Sequence, residues 1–272
     1  TGKMNQGLFP NMGEEGDYAF NSVDAPLWFI WAVQQYVNGG GRDGWTRYGE
    51  AVLQVINAYI RGTSFNIGMR DNGLIYAGQE GKALTWMDAV TPGGPVTPRV
   101  GYNVEINALW YNALCFARGN GRNIKDNELK KYINELPGKV KSSFIEYFWD
   151  EERAYPADYV EEDGSRNMFV RPNMLIAASL EHSMLEKDMI KNILDVAESE
   201  LLTPRGLRTL SPKNPYYKGV YRGTQDERDE AYHQGTVWPW LIGPFAEAYL
   251  RLYGERGVNR ISSLLKAIDE VT

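Results

Sequence analysis

Before every second helix-like run of this 272-residue chain stands a cluster of polar and aromatic residues. The clusters are "YAFNSVDAPLW" around Asp24, "TPRVGYNVEI" around Glu105, "MFVRPNM" around Asn173 and "AYHQGTVWPW" around His233. They recur at roughly seventy residues, the length of a helix pair with its connections. Helices taken alternately from a series of antiparallel hairpins run parallel, so their N-termini meet at one end. Four unusual clusters at that end line one pocket, where unpaired N–H groups suit hydroxyl or carboxylate partners. The pattern predicts an all-α fold, an α/α toroid whose inner helices start around a shared funnel. A plain α-solenoid would also stack helix pairs, but the residue-level repeat that solenoids usually carry is not visible.

The helices themselves are read from apolar residues at three- and four-residue spacing. They are "DAPLWFIWAVQQYV", "GWTRYGEAVLQVINAYI", "VEINALWYNALCFARG", "DNELKKYINELPGKVKSSFIEYFW", "PNMLIAASLEHSML", "EKDMIKNILDVAESELL", "VWPWLIGPFAEAYLRLYG" and "ISSLLKAIDEV". "EKDMI" and the C-terminal run are assigned to the outer layer. Two short extended pieces, near "FNIGMRDNGLIYAG" and "RAYPADYVEEDGSRNMFVR", carry Asp-Asn-Gly or Asp-Gly turn signals, so sheet content is small. No low-complexity linker divides the chain, and residues 1–272 read as a single domain.

Lys and Arg number 29 against 35 Asp and Glu, which argues against non-specific binding to nucleic acid or anionic membranes. The longest apolar run, "APLWFIWAVQQYV", is shorter than the roughly 18 residues a membrane span needs and is broken by two glutamines. Cys115 is the single cysteine and reads as a core residue, in keeping with a reducing, cytoplasmic setting. His182 falls mid-helix, away from His233, so no histidine metal site is expected. There is no phosphate loop and no Ser-His-Asp order, and the sequence calls for no cofactor. Oligomeric state is not legible.

Eight Trp and 17 Tyr are many for this length, and several stand beside polar residues. Large aromatics fill cores, but flat apolar faces beside carboxylates also suit sugars. "LTWMDAVTPGGPVTPRVGYNVEINALW" sets Asp88 and Glu105 among such rings.

"LTWMDA", "TPR", "VEINALWYNAL", "RPNM", "GLRTLSP" and "AYHQGTVWPWLIGPF", in this order, resemble the amylo-α-1,6-glucosidase domain of glycogen debranching enzymes of the bacterial and archaeal type. The resemblance runs from about Gly7 to Tyr249; "TWMD" and "YHQG" are specific only in combination. It implies an (α/α)6 barrel that removes a single α-1,6-linked glucose from a trimmed glycogen branch, with inversion. Glycogen or a branched α-glucan is then the partner.

Inversion needs one protonated carboxyl and one ionised carboxyl. Asp88 matches the family's acid in "TWMD", and an apolar wall of Trp86 and Met87 is expected to keep it protonated by desolvation. The base departs from the pattern. In eukaryotic members His-Gln-Gly is followed by Pro-Glu-Trp, whose Glu is the proposed base. Here "HQGTVW" has Thr236 and Val237. Asp229, in the loop "QDERDEAYHQG", is the first substitute and Glu105 the second; Glu230 reads as a solvated charge. Asp24 and Trp28 resemble sugar-pocket residues. Arg99 is assigned either to a substrate hydroxyl or to an ion pair with Glu105. Asn173, His233 and Gln234 are donors or acceptors at helix starts. Of Trp238 and Trp240 one is expected to be a stacking platform and the other core, with Trp238 taken as the platform.

A twelve-helix ring at about thirty residues per helix needs about 360 residues. The chain is therefore expected to be the C-terminal portion of such a domain, an incomplete ring open on one side.

Overall fold

The helix pairs follow from where the apolar residues fall. In a computed structural model describing residues 2–14 and 17–269, α1 spans Ala25–Asn38 and α2 Gly44–Arg61. Val52, Val55, Ile56 and Tyr59 of α2 are buried at three- and four-residue spacing, one stripe facing inward. The third helix, α3 (Val104–Gly119), is buried along almost its whole length and round its circumference. It accordingly lies at the centre, against α1, α2, α4 (Asn127–Phe148) and α5 (Asn173–Ser179). Next come α6 (Lys187–Glu200), α7 (Gln225–Tyr232), α8 (Ile242–Tyr253) and α9 (Val258–Asp269). The last residues of the expected C-terminal run lie outside the described residues.

One row of helices runs through the molecule: α1 packs on α3, α3 on α5, and α5 on α8. A second layer covers it, with α2 on α1, α4 on α3, and α6 on α5 and α8. The row is tied at both ends. At one end the Asn112 amide donates to Gln34 Oε1 (2.6 Å), and Gln34 Nε2 and Asn38 Nδ2 donate to Glu181 beyond α5. At the other end Glu105 and Asn173, which begin α3 and α5, share one hydrogen-bonded network. Helices α1, α3 and α5 therefore run the same way, as the spacing of the clusters requires.

Short hairpins occupy the loops. Gly68–Met69 pairs with Ile75–Tyr76, and Tyr159–Val160 with both Arg166–Asn167 and Tyr102–Asn103. Asn107 clamps the first of these to α3: its Oδ1 accepts from Ile75 N (2.7 Å) and its Nδ2 donates to Ile75 O. The core ring pair Tyr59 and Trp110 stacks behind it at 6.1 Å.

The structure departs from the sequence reading at three helices. The run expected over "PNMLIAASLEHSML" is helical only to Ser179. Its last carbonyls are taken by side chains, Ser179 Oγ on Ile176 and Ser183 Oγ on Ala177, while Leu180 is extended and buried. His182 thus lies in a bend, not mid-helix. In "VWPWLIG" the helix starts only at Ile242, because Val237–Trp238 pairs as a strand with Leu207–Arg208. "QDERDE" is helix, not loop. No helix among the described residues is long and apolar enough to cross a membrane.

Candidate active site

The loop that carries Asp88 is clamped from both sides. Val23, at the entrance to α1, donates its N–H to Leu84 O (2.8 Å), and Thr97 Oγ1 donates to Met87 O (2.8 Å). Thr85 Oγ1 accepts from Met87 N, and Val96 N closes on Ala89 O. Neighbouring side chains of this extended piece point opposite ways. Met87 is buried, with its sulfur near Arg171 and Asn173, so Asp88 is turned outward and is 44% exposed. The expected apolar wall is corrected accordingly: Met87 faces away from the Asp88 carboxylate.

Around Asp88 stand residues from two of the four clusters, those of Asp24 and His233. Asp24 precedes α1 but makes no side-chain cap. Ser22 takes that position: its hydroxyl accepts from Ala25 N (3.0 Å) and donates to Asp24 Oδ1 (2.5 Å). The Asp24 carboxylate makes no such cap, though the Asp24 and Ala25 N–H groups lie close enough to favour its charged form. Burial raises its pKa above the usual value, the Ser22 hydrogen bond opposes this, and the charge on Asp88 adds to the rise. His233 Nε2 lies 3.8 Å from Asp88 Oδ1. The imidazole is 2% exposed and packs in T-shaped contacts with the rings of Trp86 (5.1 Å) and Tyr232 (4.6 Å). Burial holds it below the usual histidine value, against the pull of Asp88.

Beneath this tier lies a second one of buried groups paired with one another. Arg99 is buried, with a left-handed backbone (φ 43°). It donates to both Glu105 oxygens (2.5 and 2.7 Å), to both Asp158 carboxylate oxygens (2.8 and 3.1 Å) and to Thr85. Burial opposes its charge, but Asp158 and Glu105 outweigh that and hold it firmly protonated. Arg171 lies 3.7 Å from Asp158 and donates to His233 O (2.5 Å), Thr209 O and Gln234 Oε1 (2.6 Å). Its pKa is pushed down to about 10 by burial, with Asp158 opposing and Arg99 adding, so it stays charged at neutral pH. Asn173 donates to Asp158 Oδ1 (2.7 Å) and accepts from Trp86 Nε1 (2.8 Å). Four buried charges, two of each sign, thus set the Trp86 ring and the His233 backbone.

Several assignments change. Glu105 is 0% exposed with both oxygens on Arg99, which leaves no room to hold and deprotonate a water. Its candidacy as base is corrected to a structural role. Arg99 has no donor left for a sugar, and Asn173, fully buried, orients Trp86 rather than facing solvent. Trp238 is half-buried, its Nε1 on Tyr232 O (3.1 Å) and its ring on Tyr232. The exposed ring is Trp240, 45% exposed and 5.0 Å from Trp86. Trp28 is half-buried, edge-on to Trp31. Gln234 is half-exposed and held by Arg171.

Asp229 lies on α7, which packs against the strand Val90–Thr91 that follows Asp88. Its Oδ1 accepts from Gln225 (2.8 Å). Tyr232 lies within electrostatic reach of both carboxylates: burial is the main cause of its raised pKa, with Tyr221, Asp88 and Asp229 adding to it. Glu230 pairs with Lys218 at the surface. The residues missed from the sequence are Asp158, Arg171 and Tyr232. Arg171 stood in view in "VRPNM". The helix under Asp229 was also signalled: Thr224 and Glu227 form a reciprocal capping box.

A sequence profile described as amylo-alpha-1,6-glucosidase matches residues 1–272. The glycogen debranching enzyme of Saccharomyces cerevisiae is 26% identical, over 90% of this chain and 22% of its own length. The chain thus spans under a quarter of that relative. Among solved structures, an uncharacterized conserved protein from Thermus thermophilus matches at TM-score 0.66 and 13% identity, over 97% of this chain and 75% of that one. A GH78 family rhamnosidase of a Bacillus species matches at TM-score 0.52 and 15% identity, over 92% and 21%. At such identities the likeness is one of fold.

Proposed function

The chain belongs to the amylo-alpha-1,6-glucosidase family, and from that premise we propose that it releases glucose from α-1,6 branch points of a glycogen-type glucan, with inversion. The observation that carries this reading is the meeting of Asp24, Asp88 and His233 beside the Trp86 and Trp240 rings, at the common end of parallel helices. Asp88 protonates the glycosidic oxygen as its bond to C1 breaks. Asp229 takes a proton from the water that adds to C1 from the opposite face, giving free glucose of inverted configuration and the debranched chain. The exposure of Asp88 leaves the leaving oxygen access, and a bound sugar between the rings would supply the desolvation that the protein does not. Asp24, free of its helix cap, is placed to accept hydroxyls of the glucose, with Trp28 and Trp86 as apolar walls. The helix row is read as an arc of an (α/α)6 toroid, and a cytoplasmic setting goes with a glycogen substrate.

Incubation with a 6-O-α-glucosyl maltooligosaccharide tests the reading, with anomer-resolved NMR of the first product. Release of β-glucose supports it. Saturable binding without turnover would instead make this a carbohydrate-binding domain, the reading that Val237 in place of the Glu of eukaryotic members favours.

A further inference from the structure

His233 is the one feature of the site that a sugar-contact role does not account for. Its imidazole is 2% exposed, yet neither Nδ1 nor Nε2 makes a hydrogen bond. Enclosing two polar ring nitrogens without partners is unfavourable, so the surroundings must offer something in return. Trp86 and Tyr232 pack on the imidazole in T-shaped contacts, and the Trp86 Nε1–H is already given to Asn173. The cations nearby are directed elsewhere: Arg171 donates to the His233 carbonyl, and Arg99 is held by Glu105 and Asp158. What faces the ring nitrogens is Asp88, with Nε2 at 3.8 Å from Oδ1. Such contacts are commonly long in an empty site and close in the complex.

We propose that His233 is a positioning residue for Asp88, its neutral Nε2–H donating to Oδ1 so that the proton-bearing Oδ2 faces the glycosidic oxygen. The inference rests on Asp88 being the acid. A histidine suits the position where a lysine or arginine would not. A fixed cation at 3.8 Å would hold Asp88 ionised and remove the proton it must donate. Burial, aided by Arg171 and Arg99, disfavours the imidazolium and keeps the ring neutral at the pH where Asp88 works. The contact with Arg171 fixes the His233 backbone, so the buried charges beneath the site set the ring's height over Asp88.

The chain has only two histidines, His182 and His233, so imidazole 15N–1H spectra are simple to assign with a His182→Asn variant. We expect His233 in the Nε2–H tautomer, titrating below the ordinary histidine value. Asp88→Asn should push that titration further down, because it removes the one carboxylate opposing the effect of burial, and should leave His182 unmoved. A His233 signal indifferent to Asp88→Asn overturns the proposal; this arm needs no turnover. In kinetics, His233→Gln should lower kcat by about 10- to 100-fold with KM unchanged, and should shift the alkaline limb of the pH profile, where the general acid loses its proton. A raised KM at normal kcat would overturn it in favour of a sugar contact. Normal turnover by Asp88→Asn would instead sink the acid assignment, an outcome separate from either result.

Discussion

Two carboxylates taken from adjoining clusters, Glu105 and Asp24, are both buried and both stand at the start of a central helix, yet their surroundings differ in kind. Glu105 has each oxygen on an Arg99 nitrogen. Asp24 has one hydroxyl partner and another carboxylate, Asp88, near it. A buried charge whose valences are filled by protein is part of the scaffold. One left partly unmatched raises the free energy of the fold and persists where a ligand completes it. The lower tier of Arg99, Glu105, Asp158, Arg171 and Asn173 is of the first kind. In the upper tier Asp24 is of the second, and it stands beside Asp88, Asp229 and His233, whose hydrogen-bonding capacity the protein leaves partly open. The contrast makes opposite predictions for the two tiers: substitutions below should act on stability, substitutions above on turnover.

The largest effect expected is on turnover. Asp88→Asn should lower kcat by about three orders of magnitude, with the urea midpoint unchanged because the side chain is 44% exposed and near-isosteric with its replacement. Asp229→Asn should behave alike. A substrate-bound structure should set the Asp88 and Asp229 carboxyls about 6.5–9.5 Å apart. Retained turnover in Asp229→Asn would remove that residue from the role of base.

Next comes the scaffold. Arg99→Met strands Glu105 and Asp158 without their shared cation and should destabilise by about 3–5 kcal/mol, read by urea unfolding. Glu105→Gln should be milder, and activity lost in it should track the loss of folded protein. A stable but inactive Glu105→Gln would collapse the distinction between the tiers.

A smaller effect of opposite sign is expected at Asp24. Its folded pKa lies above the ordinary aspartate value of 3.8, so the stability it contributes is present below that value and is lost as pH rises through the folded pKa. At neutral pH Asp24→Asn should therefore be more stable than the wild type, by about 0.5–2 kcal/mol, while binding oligosaccharide less well. Equal or lower stability would mean that Asp24 is as well matched as Glu105.

The smallest effect belongs to His233. Its folded pKa lies below 6.5, so the folded state binds this proton less tightly than the unfolded chain, and stability falls as pH drops through that value. Thermal scans across that range should show a steeper acid loss for wild type than for His233→Gln. Parallel curves would mean that the imidazole protonates as freely in the fold as outside it.

Local signals carried most of the architecture. Apolar spacing located the helices because each buries one stripe, or in α3 nearly its whole surface, and the Asp-Gly turns marked the hairpins. The alternation of polar-aromatic clusters carried the shared end of the helix row, since alternate helices of antiparallel hairpins must point the same way. Cys115 was found buried as its apolar run implied, and the family profile agrees with the resemblance read from the motifs. Only the tertiary structure decided which carboxylates are occupied. Asp158 lies 59 residues from Arg99 and belonged to no motif, yet it takes half of that guanidinium and so removes Arg99 from the substrate. Trp240 rather than Trp238 faces outward because Val237–Trp238 pairs with a strand some thirty residues earlier. Spacing along a chain reports which face a residue occupies. Whether its hydrogen-bonding valences are filled depends on partners brought in from distant segments, and at this site that is what separates scaffold from chemistry.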